Sequence, residues 1–164
     1  MIFPTICLHR QFNLQAQLFA FAVLAGALLG GCDRSTTDRD IVWVTPQDAI
    51  RMAETPQGTF GSGGAPRTLW LDPRMPNQFA EGHLPSAVNI PFPEISKTHE
   101  STCKNFELFI VYDSDYDDVM AKAASKRLLE LGYDGVFTIR GGIKAWQREG
   151  YELQKDSAIV APPK

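Results

Sequence analysis

Short apolar segments recur along residues 41–150, and polar or amphipathic stretches separate them. Apolar residues follow one another directly in these segments, which is typical of strands covered on both faces. The predicted strands are 41–44, 68–71, 87–90, 106–112 and 135–139. Capping residues and helical spacing predict helices over 45–52, 119–131 and 142–149, with a helical turn over 76–80. Strands that alternate with helices predict an α/β domain whose mostly parallel sheet of about five strands carries helices on both faces.

The first 31 residues have a different pattern from the rest of the chain. Residues 14–31 are mostly apolar and uncharged, Arg10 stands just before them, and small residues end the segment. This order is that of a secretory signal peptide. An uncleaved transmembrane helix is the first alternative, because about 20 apolar residues span a bilayer. A cytosolic protein with a misassigned start is the second.

The segment Leu29-Gly30-Gly31-Cys32 resembles the bacterial lipobox. The resemblance implies that Cys32 is acylated and becomes the mature N-terminus. Residues 1–31 are then a lipoprotein signal peptide, residues 32–40 are a lipidated tether, and the membrane is a partner through the lipid on Cys32. Asp33, directly after the cysteine, implies retention in the cell envelope at the periplasmic face of the inner membrane.

Composition is consistent with one folded domain, 41–155, followed by a tail, 156–164. Hydrophobic residues make up 44% of the chain and the net charge is −3, so composition does not point to nucleic-acid binding. Cys7 leaves with the signal peptide and Cys32 takes the lipid, which leaves Cys103 without an internal disulfide partner. We expect Cys103 to be a small buried hydrophobe. The alternative is a thiol that is open to an external partner.

Three polar side chains stand near the crevice where such folds bind ligands. Asp72 and Arg74 follow a predicted strand and therefore lie at the carboxyl ends of the sheet. We expect them chiefly to form an internal salt bridge that supports the pocket. His83 lies between Gly82 and a proline-bearing turn, and we expect a hydrogen-bonded structural histidine there. A single histidine with no cysteine or aspartate at metal-ligand spacing beside it does not indicate a zinc site.

Several motifs, in order along the chain, resemble the rhodanese-like (sulfurtransferase) family. They are Asp72-Pro73-Arg74, Gly82-His83-Leu84-Pro85-Ser86-Ala87-Val88-Asn89-Ile90-Pro91, Leu131-Gly132-Tyr133, Arg140-Gly141-Gly142 and Ala145-Trp146. The resemblance implies a three-layer rhodanese-like fold over residues 41–155 and no cofactor. It also implies an active-site loop after the fourth strand, where a reactive cysteine carries sulfur and backbone N–H groups hold the anion.

That loop has no cysteine in this chain and reads Asp113-Ser114-Asp115-Tyr116-Asp117-Asp118. Strand register places Asp113 at the position of the family's cysteine, whereas counting back from the next helix places Asp115 there. A carboxylate cannot form a persulfide, and four acidic groups disfavour a further anion such as thiosulfate. Cys103 precedes the fourth strand and the loop follows it, so we do not expect Cys103 to substitute.

Three roles stay open for the acidic loop, besides that of a solvated charged turn. An aspartate fills the anion site itself, or the loop binds Ca²⁺ or Mg²⁺ weakly without meeting the EF-hand pattern, or the loop and Tyr116 dock a basic protein. We predict no catalytic residue, no metal site, and a membrane-anchored module that binds or scaffolds an unidentified protein. The alternative is a sulfurtransferase with a non-standard loop.

Overall fold

The computed structural model describes residues 35–56, 63–117 and 119–155. The predicted signal peptide 1–31, Cys32 and the predicted tether up to residue 34 lie outside the described residues, as do Asp118, the segment 57–62 and the predicted tail 156–164. In the part of the chain that is described, no helix is both long enough and apolar enough to cross a membrane.

Five parallel strands form one sheet in the order β1-β5-β4-β2-β3. The strands are β1 (Val42–Val44), β2 (Thr68–Asp72), β3 (Val88–Asn89), β4 (Leu108–Val111) and β5 (Val136–Ile139). The parallel α/β sheet predicted from the sequence is therefore confirmed. Strand β4 lies at the centre and all four of its residues are buried, as a continuous apolar run implies. It is shorter at both ends than the predicted 106–112.

Helices connect the strands and cover both faces of the sheet. They are α1 (Pro46–Glu54), α2 (Pro76–Glu81), α3 (Phe92–Thr102), α4 (Val119–Glu130) and α5 (Gly142–Arg148), preceded by a 3₁₀ turn at Asp38–Asp40. Helix α1 begins as its sequence predicts: the Thr45 hydroxyl accepts the Asp48 backbone N–H at 3.1 Å, and Pro46 occupies the first turn.

Helix α3 was not predicted, because two prolines flank its start. Pro91 is the residue before the helix and Pro93 lies in its first turn, where the missing N–H of proline costs little. Ile95 is the buried residue of this helix, and polar side chains dominate the rest. The apolar pattern is therefore too weak to indicate a helix. The prolines follow the end of β3, and they also begin α3.

Alternate residues of β4 build two separate cores. Phe109 and Val111 pack on one face in a cluster with Ile95 and Leu128, from α3 and α4. Ile110 packs on the other face in a cluster with Ala49 of α1 and Trp146 of α5. This division follows from the two-residue period of a strand.

Cys103 belongs to the first core. It follows α3, is fully buried, and precedes β4, so it lies at the opposite end of that strand from Asp113. Burial raises the pKa of its thiol above the ordinary value. The expectation of a small buried hydrophobe is confirmed.

Candidate functional site

Asp113 occupies the start of the loop between β4 and α4. Its side chain is only 8% exposed. One carboxylate oxygen, Oδ2, accepts the backbone N–H of Met120 at 2.7 Å and that of Ala121 at 3.4 Å, and the other, Oδ1, accepts the Ser114 N–H at 2.7 Å. Met120 and Ala121 lie in the first turn of α4, whose N–H groups have no partner within the helix. The carboxylate therefore caps the positive end of this helix.

Helix α5 holds the backbone of Asp113 from the other side. The Ile143 N–H donates to the Asp113 carbonyl at 2.8 Å, and the Lys144 N–H donates to the Ser114 carbonyl at 3.1 Å. Gly142 adopts φ 46°, and a Cβ atom there would clash with the Asp113 carbonyl. Glycine is required at this position both by its conformation and by the close approach of two backbones.

The outer part of the loop faces solvent and uses different partners. Asp115 accepts the Asp117 N–H at 3.1 Å and pairs with Lys144 Nζ at 3.1 Å. The backbone hydrogen bond from Asp117 chiefly, and then Lys144, lower the pKa of the Asp115 carboxyl below its ordinary value. The four predicted carboxylates are thus not equivalent, because Asp113 points into the protein while Asp115 binds a lysine at the surface.

Tyr116 lies across the rim of the loop. Its ring covers Gly141 so closely that a Cβ atom at Gly141 would overlap it. The guanidinium carbon of Arg148 lies 5.4 Å from the ring centroid, within the range of a cation–π contact. The ring is nevertheless 47% exposed. Tyr116 is therefore a fixed, solvent-facing aromatic group next to Asp113.

The loop does not form a cation site among the residues that can be described. Across residues 35–56, 63–117 and 119–155, no group of three or more His, Cys, Asp or Glu side chains could hold a metal ion. Asp118 lies outside those residues.

Asp72 and Arg74 form the expected internal salt bridge beside the loop. Arg74 Nη2 lies 2.6 Å from Asp72 Oδ2, and both side chains are almost completely buried. Arg74 also donates to the Gly82 carbonyl at 2.8 Å and lies within electrostatic range of Asp113. The pair therefore fixes the loop after β2 and places a cation below the acidic loop.

Two further residues complete this buried network, and sequence reasoning had not singled them out. The Tyr112 hydroxyl accepts the Leu84 N–H at 3.2 Å, and burial chiefly, with the Asp72 carboxylate, raises the pKa of Tyr112. Asn89 Nδ2 donates to the carbonyls of Asp72 and Arg74. Tyr112 directly follows the buried strand β4, and Asn89 ends β3. A polar group at the carboxyl end of a strand is therefore the sequence signal for both residues.

His83 has a structural role. Its Nδ1 lies 3.0 Å from the Phe79 carbonyl, and its ring stacks on the Phe79 ring with centroids 3.8 Å apart. Its backbone exchanges two hydrogen bonds with Gln154. The buried, hydrogen-bonded histidine expected from the sequence is present.

Comparison with known proteins agrees with this architecture. The family model for the rhodanese-like domain matches residues 55–149. A sulfurtransferase of Allochromatium vinosum is 33% identical over 94 residues, which are 57% of this chain and 79% of that protein.

Solved structures give the same result. A thiosulfate sulfurtransferase of Pseudomonas aeruginosa is 26% identical with a TM-score of 0.55, over 71% of this chain and 20% of that one. A protein of Bacillus halodurans, 22% identical, shares the fold with a TM-score of 0.50 over 85% of this chain and 86% of its own. With its five-stranded parallel sheet and a family match over more than half its length, this chain belongs to the rhodanese-like domain family.

Proposed function

We propose that this protein is a lipid-anchored, periplasmic rhodanese-like protein that does not transfer sulfur and acts as a binding or scaffold module. One observation carries the proposal. The carboxylate of Asp113 occupies the start of the loop after β4 and accepts the N–H groups of the next helix. By resemblance to active members, those N–H groups would otherwise hold an anionic sulfur species.

The geometry favours Asp113 over Asp115 as the residue at the position of the missing cysteine. Asp113 lies two residues after the end of the central strand and is buried, whereas Asp115 lies at the surface with Lys144. Sulfur transfer needs a thiolate that can accept and pass on a sulfur atom. Because a carboxylate has no such chemistry, the loop is expected to be silent toward thiosulfate.

The filled anion site is the second support for an inactive domain. Met120 and Ala121 already donate their N–H groups to Asp113. An incoming anion would have to displace the carboxylate or lie beside it, and like charges at that distance strongly disfavour each other.

A sulfurtransferase with displaced chemistry is the competing function, and similarity to the sulfurtransferase of Allochromatium vinosum favours it. In the described part of the chain its thiol would be Cys103. That thiol is fully buried, has a raised pKa and lies at the far end of β4 from the loop. All three properties disfavour an attacking thiolate.

A sulfur-loading experiment separates the two functions. The full chain, purified from membranes, is treated with thiosulfate, analysed by mass spectrometry and assayed for thiocyanate formation with cyanide. We expect no mass increase of one sulfur atom and no turnover. Turnover that disappears in Cys103→Ala would establish the sulfurtransferase and reject the silent module.

The lipid anchor has its own test. Acyl labelling of the wild-type chain in cells is compared with that of Cys32→Ala, with Cys103→Ala as the matched control. We expect label in the wild type and in the control, and none in Cys32→Ala. Equal labelling of all three chains would rule out Cys32 as the site.

A further inference from the structure

We propose that one lateral face of the domain lies on an anionic phospholipid bilayer. This basic face consists of the turn Asp38–Asp40, helix α4, Trp43 on β1 and the neighbouring Arg140. The inference rests on the proposed lipid anchor at Cys32, and it adds the direction in which the anchored domain faces.

The chain enters the domain on the basic face. Thr36 Oγ1 donates to Glu130 Oε1 at 3.0 Å, and Lys126 Nζ lies 2.9 Å from Asp38 Oδ1. Between these contacts, Thr37 caps the turn Asp38–Asp40. The first described residues after Cys32 are therefore fixed against α4.

The segment between Cys32 and this entry point is short. Residues 33–35 alone separate Cys32 from Thr36. A fully extended chain covers at most about 3.6 Å per residue, so a lipid on Cys32 keeps Thr36 within roughly 15 Å of the headgroups. A compact domain of this size has a radius of gyration of about 13 Å, so its full width, at least about twice that value, exceeds the reach of the segment. The basic face therefore lies toward the bilayer, and the face with α1 and α5 points away from it.

Cations outnumber acidic residues on the basic face, although the whole chain has a net charge of −3. The cations are Arg39, Lys122, Lys126, Arg127 and Arg140, and the acidic residues are Asp38, Asp40 and Glu130. Basic side chains next to an anionic leaflet are attracted by its negative surface potential. The charge of this face therefore complements such a leaflet.

Trp43 and Val119 give the basic face the apolar groups of an interfacial surface. The Trp43 ring centroid lies 6.0 Å from Lys122 Nζ and 5.5 Å from the Arg140 guanidinium carbon. Val119 is 65% exposed and lines a shallow groove of about 360 Å³ with Lys122 and Lys126. Tryptophan among lysines and arginines is typical of the headgroup region, and exposed apolar side chains beside cations bind there.

Amine labelling on vesicles tests the orientation. The acylated full chain is bound from outside to vesicles of phosphatidylcholine, with or without phosphatidylglycerol, acetylated briefly and mapped by mass spectrometry. We expect Lys122 and Lys126 to be protected on the anionic vesicles, and to lose that protection in high salt. Lys144 on α5 is the control, because it is exposed and pairs with Asp115 as Lys126 pairs with Asp38. It should label equally on both kinds of vesicle.

Charge variants give the second arm of the experiment. Lys122→Glu should reduce the protection of Lys126 on anionic vesicles, Lys122→Gln should reduce it less, and Lys144→Glu should leave it unchanged. An acylated chain that sediments with vesicles but protects Lys144 as strongly as Lys122 contradicts the orientation and leaves the anchor standing. If the wild-type chain purified from cells carries no acyl group and stays in the supernatant, the anchor is contradicted and the orientation is rejected with it.

Discussion

The Oδ2 atom of Asp113 lies 2.7 Å from the backbone nitrogen of Met120, seven residues further along the chain. The same oxygen accepts the Ala121 N–H. A buried acidic side chain thus caps a helix from outside its first turn, with the loop in between folded around it. The contact joins the central strand to the helix that covers it, so it has consequences for stability as well as for chemistry.

Removal of this cap should destabilise the domain. Asp113→Ala leaves helix N–H groups without their charged acceptor, and we expect a loss of about 2 kcal/mol in the free energy of unfolding. Asp113→Asn keeps an acceptor oxygen and should lose about half as much. Urea unfolding of residues 34–164, which form a compact unit, measures both values.

Asp117→Ala is the matched control for the cap. Its side chain is exposed, and we expect a change within about 0.5 kcal/mol. Equal losses for Asp113→Ala and Asp117→Ala would show that the buried hydrogen bonds of Asp113 contribute nothing specific.

Gly142→Ala should disrupt the same loop from the other side. The new Cβ would meet the Asp113 carbonyl at a position with φ 46°, so strain and overlap should together cost about 3 kcal/mol or more. Gly150→Ala is the control, because Gly150 has φ 88° and open space around it. That substitution should cost about 1 kcal/mol from conformation alone. If thermal unfolding gives the same loss of stability for both variants, the close contact between Gly142 and the Asp113 carbonyl is contradicted.

The sequence predicts the strands well because uninterrupted apolar runs, such as that of β4, are a strong local signal. It also predicts the Asp72–Arg74 pair, since two residues that follow a strand are neighbours wherever the strand lies. It misses α3, because Pro91 and Pro93 resemble strand breakers and Ile95 is the helix's one buried side chain.

The contacts of the candidate site could not be predicted in the same way. Lys144 reaches Asp115 across 29 residues, and Tyr112 meets Leu84 across 28. Such pairs depend on the positions of two loops at the sheet edge, which no local pattern specifies. The sequence shows several aspartates in this loop, but which of them accepts the N–H groups of α4 depends on the path of the loop, and that residue is Asp113.

The stability of the domain should fall at alkaline pH because of Tyr112. Burial raises the pKa of its hydroxyl above the ordinary value of 10.0, so the folded state keeps a proton that the unfolded state releases. The stabilising contribution is complete below pH 10.0 and declines as the pH rises further, by up to about 1.4 kcal/mol per pH unit. Urea unfolding at a series of pH values measures this slope.

Tyr112→Phe removes the hydroxyl that titrates and keeps the ring that packs in the core. Tyr112→Phe should lower the stability at neutral pH, since the Leu84 N–H loses its acceptor, and should reduce the alkaline slope. Tyr116→Phe, whose ring is 47% exposed, is the matched control for the removal of a tyrosine hydroxyl. An unchanged slope in Tyr112→Phe would assign the alkaline loss to other groups.

Asp113→Cys tests whether the N–H groups of α4 stabilise an anion at this position, independently of whether the loop can transfer sulfur. In Asp113→Cys, the N–H groups of Met120 and Ala121 and the nearby Arg74 should favour the thiolate. We expect a thiol pKa below the ordinary value of about 8.5, measured from the pH dependence of alkylation. In Ser114→Cys, the thiol lies one residue further along the loop, away from the N–H groups of Met120 and Ala121. Its rate of alkylation should therefore follow an ordinary thiol pKa. Cys103 is buried and should stay unmodified in both variants.

The same variant should still turn over thiosulfate poorly. Asp115 and Asp117 remain at the rim, and a dianionic substrate approaches them before it reaches the thiol. Thiocyanate formation should therefore rise little in Asp113→Cys, and more when Asp115→Asn and Asp117→Asn are added. Rapid turnover in the single variant would show that the acidic rim does not repel the substrate. An ordinary thiol pKa would show that the helix N–H groups are not available to an anion at this position.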